Sequence, residues 1–231
     1  MSRLIQLGHF LKHHPEFVSP LVDFDSQTNK VFNFDFSSSN LELSLQTIAD
    51  TPSFSSWISQ KLKENNCRYG IGGYNEHRTL YARSELFDNS EEPRRLHLGV
   101  DIWAEAGTPV YAPLSGQIQS FRYNDAFGDY GATMILKHDL DGLIIHSLYG
   151  HLSLKSIERL QKGTVIEQGQ KIAEFGIFSE NGNWPPHLHF QLIFDMQGYD
   201  GDYPGVCRFS ERLNFLGNCP DPAILLNQTF K

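Results

Sequence analysis

The sequence predicts a mainly β fold, an antiparallel β-sandwich or barrel-sandwich, preceded by a partly helical N-terminal extension. From about Leu96 onward, short runs such as TPVYA, TMILKH, LIIHSLYGHL and HLHFQLIF are separated by Gly, Pro, Asn or Asp. Many short strands with turn residues between them are typical of an antiparallel sandwich or barrel. The length of 231 residues suits one sizeable domain, and 40% hydrophobic residues allow a buried core.

Three segments differ in their pattern. Residues 1–66 carry apolar residues at helix-like spacing around a Ser-rich patch, which predicts a partly helical extension. Residues 67–93 form a Gly-rich connecting segment that contains GIGGYNEHR and leads into the next segment through the polar DNSEEPRR. Residues 94–231 form the β-rich domain, and its last thirty or so residues, with YPGV and CPDP, predict an irregular wrap.

The composition limits which binding partners and which cellular compartment we expect for this protein. The 19 basic and 27 acidic residues give a formal charge of -8, and without a Lys/Arg block we expect no nucleic-acid partner. Three cysteines without a CxxC pair favour a reducing compartment over a single Cys207–Cys219 disulfide. With no signal-peptide core and no run of 18 apolar residues, the sequence predicts a cytoplasmic protein without a membrane span.

The segment RRLHLGVDIW places His97 and Asp101 four residues apart. In a straight strand the two side chains would share a face but lie about 13 Å apart. That separation is near or beyond the reach of two ligands of one metal ion. A shared site therefore requires a bend, and Gly99 is the residue best able to provide it. Alone, the pattern favours a surface histidine and a turn aspartate.

The segment NWPPHLHFQLIF carries a stronger signal. His187 and His189 are two apart in a predicted strand, so both imidazoles project from one face, about 7 Å apart. Leu188, Phe190 and Leu192 fall on the opposite face, as expected of a core stripe. Two histidines on one face at a strand end favour a functional site over core packing.

His151 ends the apolar run in LYGHLS and fits a semi-buried structural role and a site role equally well. A catalytic zinc site needs three protein ligands, an open position and a nearby base. The chain contains no HExxH motif, so a zinc hydrolase built from these residues would use histidine as its base. The near-neutral pKa of histidine permits that role.

Together these motifs resemble the lysostaphin-type zinc endopeptidases, which cut peptide cross-links in bacterial cell walls. The likeness lies in HLGVDIWAEAGTPVYAPLSGQI, YGHLS, GTVIEQGQKIAEFG and PPHLHFQ, over roughly residues 94–195. It implies one zinc ion per chain, held by His97, Asp101 and His189, and a catalytic pair formed by His151 and His187. It further implies that zinc-bound water attacks a peptide carbonyl, in peptidoglycan or a related short peptide.

Three features depart from the family pattern. Residues 184–186, Trp-Pro-Pro, replace the small residues that usually precede HxH, and Gln191 stands where Glu is usual. Most members are exported, whereas this sequence shows no signal peptide. All five implied ligand and catalytic positions are nevertheless filled, so the departures bear on the substrate rather than on the chemistry.

Either the wrap after Gly198 or the loop GIGGYNEHR is expected to shape or partly cover the zinc cleft. Its three glycines permit close backbone approach, and the loop lies about twenty residues before His97. The residues predicted to bind substrate are Tyr74, Asn75 and Glu76 in this loop, together with Trp184.

Functions of other classes fit parts of the same sequence. PLSGQI and GTVIEQGQKIAEFG also suit the barrel-sandwich folds of biotinyl and lipoyl carriers and of histidine phosphocarriers. A biotinyl or lipoyl carrier needs an exposed lysine at a hairpin tip, typically beside Met, and the chain contains no MKM turn. A phosphocarrier would not need Asp101, and a metal-free binding module would need no ligand set, so metal analysis separates both from a zinc peptidase.

Overall fold

The computed structural model describes residues 2–88 and 90–230 and is mostly β, with helices concentrated at its N-terminal and C-terminal ends. Among these residues the strands are β1 (Val31–Phe34), β2 (Tyr69–Gly72), β3 (Leu96–His97), β4 (Val100–Trp103), β5 (Pro109–Tyr111), β6 (Gly116–Asn124), β7 (Gly131–Leu140), β8 (Leu143–Leu152), β9 (Val165–Ile166), β10 (Lys171–Glu174), β11 (His187–Ile193) and β12 (Val206–Cys207). The α-helices are α1 (Arg3–His13), α2 (Leu45–Ala49), α3 (Thr51–Glu64), α4 (Glu85–Asp88), α5 (Arg212–Asn218) and α6 (Ala223–Thr229).

The described strands form one large sheet and two small ones. The eight-stranded sheet has the order β1-β2-β4-β11-β8-β7-β6-β9, and β10 pairs with β5 and β12 with β3. The predicted mainly β class with a partly helical N-terminal extension is confirmed. The sheet is mixed rather than wholly antiparallel, because β1 and β2 run parallel. Helices α2 and α3 lie between them in the chain and supply the crossover that a parallel pair needs.

The N-terminal extension is joined to the sheet through β1 and through packing of α3. Asp50 caps α3 by accepting a hydrogen bond from the Ser53 amide at 2.9 Å. Phe54 and Ile58 on one face of the helix are buried in a cluster that includes Trp103 of β4. Full burial of such a side chain contributes roughly 1.5–3 kcal/mol. The extension therefore packs against a strand that carries a site residue.

Strand β11 occupies the middle of the sheet, between β4 and β8. Leu188, Phe190 and Leu192 are fully buried in the main hydrophobic core, as the alternation predicts. On the opposite face, His189 pairs in register with Asp101 of β4 and with Gly150 of β8. Neighbouring strands thus bring the predicted site residues to one place on the sheet.

The predicted bend between His97 and Asp101 is present, because strand pairing breaks at residues 98 and 99, between β3 and β4. A Cβ atom at Gly99 would lie 2.7 Å from His189 Cε1 and 2.7 Å from the Phe190 carbonyl oxygen. Glycine is therefore required at this position for close packing as well as for bending.

The structure also bears on the membrane and disulfide expectations. No helix in residues 2–88 or 90–230 is long and apolar enough to cross a bilayer. Cys67, Cys207 and Cys219 are free thiols. Burial raises the pKa of Cys207 and of Cys219 to about 12, so both are neutral thiols at pH 7.

His138 lies inside β7, and it gives the fold a pH dependence. It is fully buried, its Nδ1–H donates to the Ser115 carbonyl at 2.8 Å, and its Nε2 lies 2.7 Å from Ser147 Oγ. Burial lowers the pKa of His138 to about 4. The unfolded chain, whose histidine pKa is about 6.5, binds this proton first as the pH falls.

We therefore expect neutral His138 to make its full contribution to the free energy of unfolding above pH 6.5. This contribution should be lost as the pH falls from 6.5 towards 4. Between pH 7.5 and pH 5 the loss should be roughly 2 kcal/mol. Urea unfolding at the two pH values measures it in the wild type and in His138→Gln, which lacks the titrating ring. If both proteins lose the same free energy of unfolding, His138 is not the source.

Candidate active site

Five buried side chains converge at the end of β11 where the chain enters the strand. They come from β3, β4, β8 and β11, and each is at most 6% exposed: His97, Asp101, His151, His187 and His189. These are the residues that the resemblance implies as ligands and catalytic pair. The structure brings all five together.

His97, Asp101 and His189 form a triangle of donor atoms suited to one metal ion. His97 Nε2 lies 2.9 Å from His189 Nδ1, and Asp101 Oδ1 lies 3.2 Å from the first atom and 3.1 Å from the second. Zinc bonds of about 2.0–2.1 Å at tetrahedral angles place ligand atoms about 3.3 Å apart. Two imidazoles and one carboxylate are also the donor types that zinc takes in hydrolytic sites. The three residues therefore fit zinc.

Each histidine of the triangle is oriented by an acceptor on its other ring nitrogen. His97 donates its Nδ1–H to the Gly73 carbonyl at 2.8 Å, and His189 donates its Nε2–H to Gln191 Oε1 at 3.0 Å. Gln191 is held in turn, because its amide donates to the Pro204 carbonyl at 3.2 Å. Such partners fix the tautomer that leaves the other nitrogen free for a metal. Gln191, the departure from the family pattern, thus supplies a neutral acceptor.

The carboxylate of Asp101 is ionised although it is buried. Burial raises its pKa, but His97 and Arg78 outweigh this effect and hold the pKa well below its usual range. The Arg78 guanidinium donates to Asp101 Oδ2, so Oδ1 remains directed at the two histidines. The group therefore offers one charged oxygen to a metal.

His151 and His187 form a second pair beside the triangle, with ring centroids 4.1 Å apart. Each donates its Nδ1–H to a backbone carbonyl at 2.8 Å, His151 to Asn181 and His187 to Pro185. Each Nε2 therefore carries the lone pair. Burial lowers the pKa of His187 to about 4 and that of His151 well below its usual value. Both rings are neutral at pH 7 and able to accept a proton.

A β-bulge aims His151 into the site. The register between β7 and β8 shifts at residues 150 and 151, and His151 has a positive φ of 61°. Its amide donates to the Tyr130 carbonyl at 2.8 Å. Bulges of this kind redirect side chains next to active sites.

The triangle and the histidine pair border a cavity of about 200 Å³. Asp101, His189, His151 and His187 all line it. A short 3-10 helix, Thr79–Arg83, and α4 add apolar lining side chains that are mostly buried: Leu80, Tyr81, Leu86 and Phe87. The remaining described lining residues include Trp103, Trp184, Tyr130, Asp129 and Asp202. The result is a partly open cavity with mixed polar and apolar walls, of the kind that binds small segments of substrate.

The four predicted substrate residues have different positions. Trp184 lines the cavity and is held by its indole N–H, which donates to the Gly128 carbonyl at 3.0 Å. Tyr74 donates instead to the Cys219 carbonyl at 2.6 Å, and Glu76 accepts from Arg78. Asn75 is exposed, and its backbone amide donates to the His97 backbone carbonyl at 2.9 Å. Their role in binding substrate stays a prediction, and the geometry supports it for Trp184.

Tyr130 and the role of Arg78 were not predicted. The Tyr130 ring lies 5.1 Å from that of His189 and 5.6 Å from that of His151, and its hydroxyl donates to the Tyr203 carbonyl at 3.1 Å. Its place depends on strand order, and no spacing in the sequence indicates it. Arg78 belongs to the loop that was predicted to shape the cleft, but its contact with Asp101 is not encoded locally.

Known proteins share part of this chain. A model of Peptidase family M23 matches residues 95–200. An uncharacterized metalloprotease of Haemophilus influenzae is 34% identical over 98 residues, which cover 42% of this chain and 18% of that protein. The DD-carboxypeptidase/endopeptidase Mpg of Neisseria meningitidis serogroup B is 33% identical over 131 residues, which cover 54% of this chain and 28% of that protein. The chain thus spans less than a third of the length of either relative.

A solved structure is also similar in sequence. The catalytic domain of the antimicrobial peptidase lysostaphin from Staphylococcus simulans is 28% identical, with 52% of this chain and 80% of that chain covered. The TM-score between the two structures is 0.37. The matched segment of residues 95–200 contains both histidine motifs and His151.

Proposed function

Because residues 95–200 of this chain are a domain of Peptidase family M23, we propose that the protein is a zinc-dependent endopeptidase. Its substrate is a peptide of the peptidoglycan type or a related short peptide. The observation that carries the proposal is the triangle of His97, Asp101 and His189 donor atoms, with edges of 2.9–3.2 Å. The names of the two relatives, a metalloprotease and a DD-carboxypeptidase/endopeptidase, support metal-dependent peptide hydrolysis.

The two histidines outside the triangle handle protons. Zinc, when bound, supplies Lewis acidity to water and to the scissile carbonyl. His151 and His187 present unprotonated Nε2 atoms, so either can accept a proton from the attacking water. The resulting imidazolium can stabilise the negative charge that develops on the carbonyl oxygen and can protonate the leaving amine.

The cavity walls limit what binds next to the scissile bond. Trp103 stacks on His187 with ring centroids 4.0 Å apart, and Trp184 lies edge-on to the same ring. These rings fix the imidazole and exclude water from one side of it. A volume of about 200 Å³ favours small side chains beside the scissile bond. The Trp184 side chain lines this cavity and occupies space that a small residue at position 184 would leave open.

Asp101 also separates this proposal from a phosphocarrier. Two facing histidines would suffice for phosphate transfer, whereas here a buried carboxylate oxygen lies within 3.2 Å of both His97 and His189. The Asp101 carboxylate, next to His97 and His189, would repel a phosphoryl group on either histidine. The same carboxylate favours a bound cation.

A digest of mixed cell-wall peptides tests the proposed function. The purified protein is incubated with the peptides in the presence of zinc, and the products are identified by mass spectrometry. We expect new fragments that result from addition of water across one peptide bond. Products should be absent after chelation, should return with zinc, and should be absent with zinc-supplemented His189→Ala. Zinc-loaded wild-type protein that cleaves none of these peptides would contradict the proposed substrate class.

A further inference from the structure

We propose that Arg78 is a positioning residue for the metal site, which holds Asp101 and His97 in ligand geometry from outside the matched segment. The inference rests on the proposed zinc function. It concerns a buried arginine in the loop predicted to shape the cleft, and Arg78 lies outside the segment that matches the peptidase family. Four contacts of its guanidinium and the shape of its surroundings carry the argument.

The first contact gives the two carboxylate oxygens of Asp101 different partners. Arg78 is 0% exposed, and its Nη1–H donates to Asp101 Oδ2. The other oxygen, Oδ1, lies 3.2 Å from His97 Nε2 and 3.1 Å from His189 Nδ1. Arg78 therefore occupies one oxygen and sets the rotation of the carboxylate, so that the second oxygen faces the two imidazoles.

The second contact reaches another ligand through the backbone. Arg78 donates through Nη2 to the Gly73 carbonyl at 3.3 Å, and the same carbonyl accepts the Nδ1–H of His97 at 2.8 Å. The carbonyl is thus held from one side by the guanidinium while it orients the imidazole on the other. Two of the three ligands depend on the position of one arginine.

The remaining contacts fix the arginine itself. Its Nε–H donates to Glu76 Oε2 at 2.6 Å, and Glu76 Oε1 accepts from the Phe36 amide at 3.0 Å. Its Nη1 also donates to the Tyr81 hydroxyl at 3.3 Å. A planar guanidinium with donors in a fixed fork suits this arrangement, whereas an ammonium group would satisfy only part of it.

The backbone makes room for the guanidinium at Gly72. In the sheet, Gly72 pairs in register with Asp101. A Cβ atom at this glycine would lie 2.6 Å from Arg78 Nη2 and 3.1 Å from Phe36 Cε2. The absence of a side chain on β2 therefore allows Arg78 to reach the carboxylate. Since β2 and Arg78 precede residue 95, the working metal site is larger than the segment that matches the family.

Zinc affinity of full-length variants, measured by competition with a chelator, tests the inference. We expect Arg78→Met to bind zinc about 10- to 100-fold more weakly than the wild type, as is typical when a group that orients a ligand is removed. Arg78→Lys should also weaken binding, by about tenfold, because an ammonium cannot hold Asp101 and Gly73 together. Zinc binding by either variant as tight as in the wild type, or tighter, would overturn the proposal.

A double variant separates positioning from charge balance. In Arg78→Met, Glu76 loses its partner, and the unpaired carboxylate alone could destabilise the protein. Glu76→Gln combined with Arg78→Met removes that charge, so urea unfolding should show recovered stability. Zinc affinity should stay low, because Asp101 Oδ2 still lacks its donor. Recovery of wild-type zinc affinity in the double variant would show a purely structural role and overturn the proposal.

The same titration distinguishes failure of this inference from failure of the proposed function. If the wild type binds one zinc ion per chain and His189→Ala binds none, the proposed metal site is supported, whatever the zinc affinity of the Arg78 variants. Wild type that binds no zinc overturns both. If Arg78→Met does not fold, Arg78→Lys, which keeps the charge, decides the question by its zinc affinity.

Discussion

Replacement of His189 by alanine should abolish zinc binding, while replacement of His187 should leave it intact. The two residues lie on one face of β11, two positions apart, and are equally buried. Only His189 has a ring nitrogen within 3.1 Å of both Asp101 Oδ1 and His97 Nε2. Removal of a residue that only orients a metal ligand typically lowers metal affinity by roughly 10- to 100-fold. Loss of one of the three protein ligands should lower zinc affinity by more than that.

Zinc content after dialysis and chelator competition measure this difference, and His187→Ala is the matched control. The control removes an imidazole of the same size from the same strand without touching the triangle. Equal zinc content in the two variants, whether high or low, would mean that His189 is not distinguished as a ligand.

Alanine at His151 or at His187 should reduce peptide hydrolysis by about 10²- to 10⁴-fold while zinc stays bound. That range is typical for removal of a group that transfers a proton. The physical reason is that each ring presents an unprotonated Nε2, fixed by donation of its Nδ1–H to a carbonyl. The measurement is kcat/KM on a cleaved peptide, with zinc content determined on the same sample.

His146→Ala provides the control for loss of a histidine from β8. His146 lies on the same strand as His151 and is largely buried, but it pairs with Ile193 at the far end of β11. We expect this variant to retain hydrolysis. Full activity in both His151→Ala and His187→Ala would refute the assigned proton transfer.

Features that depend on local periodicity could be predicted from the sequence. Alternation along β11 places Leu188 and Phe190 in the core and both histidines on the other face. The bend at Gly99 follows from the distance that two ligands four residues apart must close. The roles of individual histidines came from the resemblance, and the structure brings those residues together.

Features that depend on strand order and loop direction could not be predicted. Arg78 reaches Asp101 because β2 lies beside β4, and the parallel β1–β2 pair that builds this edge has no local signal. Tyr130, directly before β7, meets His189 of β11 across the intervening strand β8, at a sequence separation of 59 residues. The loop that carries Tyr74 and Glu76 contacts the site through the Gly73 carbonyl and through Arg78, whose Nε–H donates to Glu76, whereas the Tyr74 hydroxyl donates to the Cys219 carbonyl.

A crystal structure of zinc-soaked protein, with anomalous data collected at the zinc edge, tests the central claim most directly. We expect one anomalous peak per chain, about 2.0–2.2 Å from His97 Nε2, Asp101 Oδ1 and His189 Nδ1. A peak at other residues, or no peak at this triangle in protein that hydrolyses peptide, would contradict the assignment of these three residues as the zinc site.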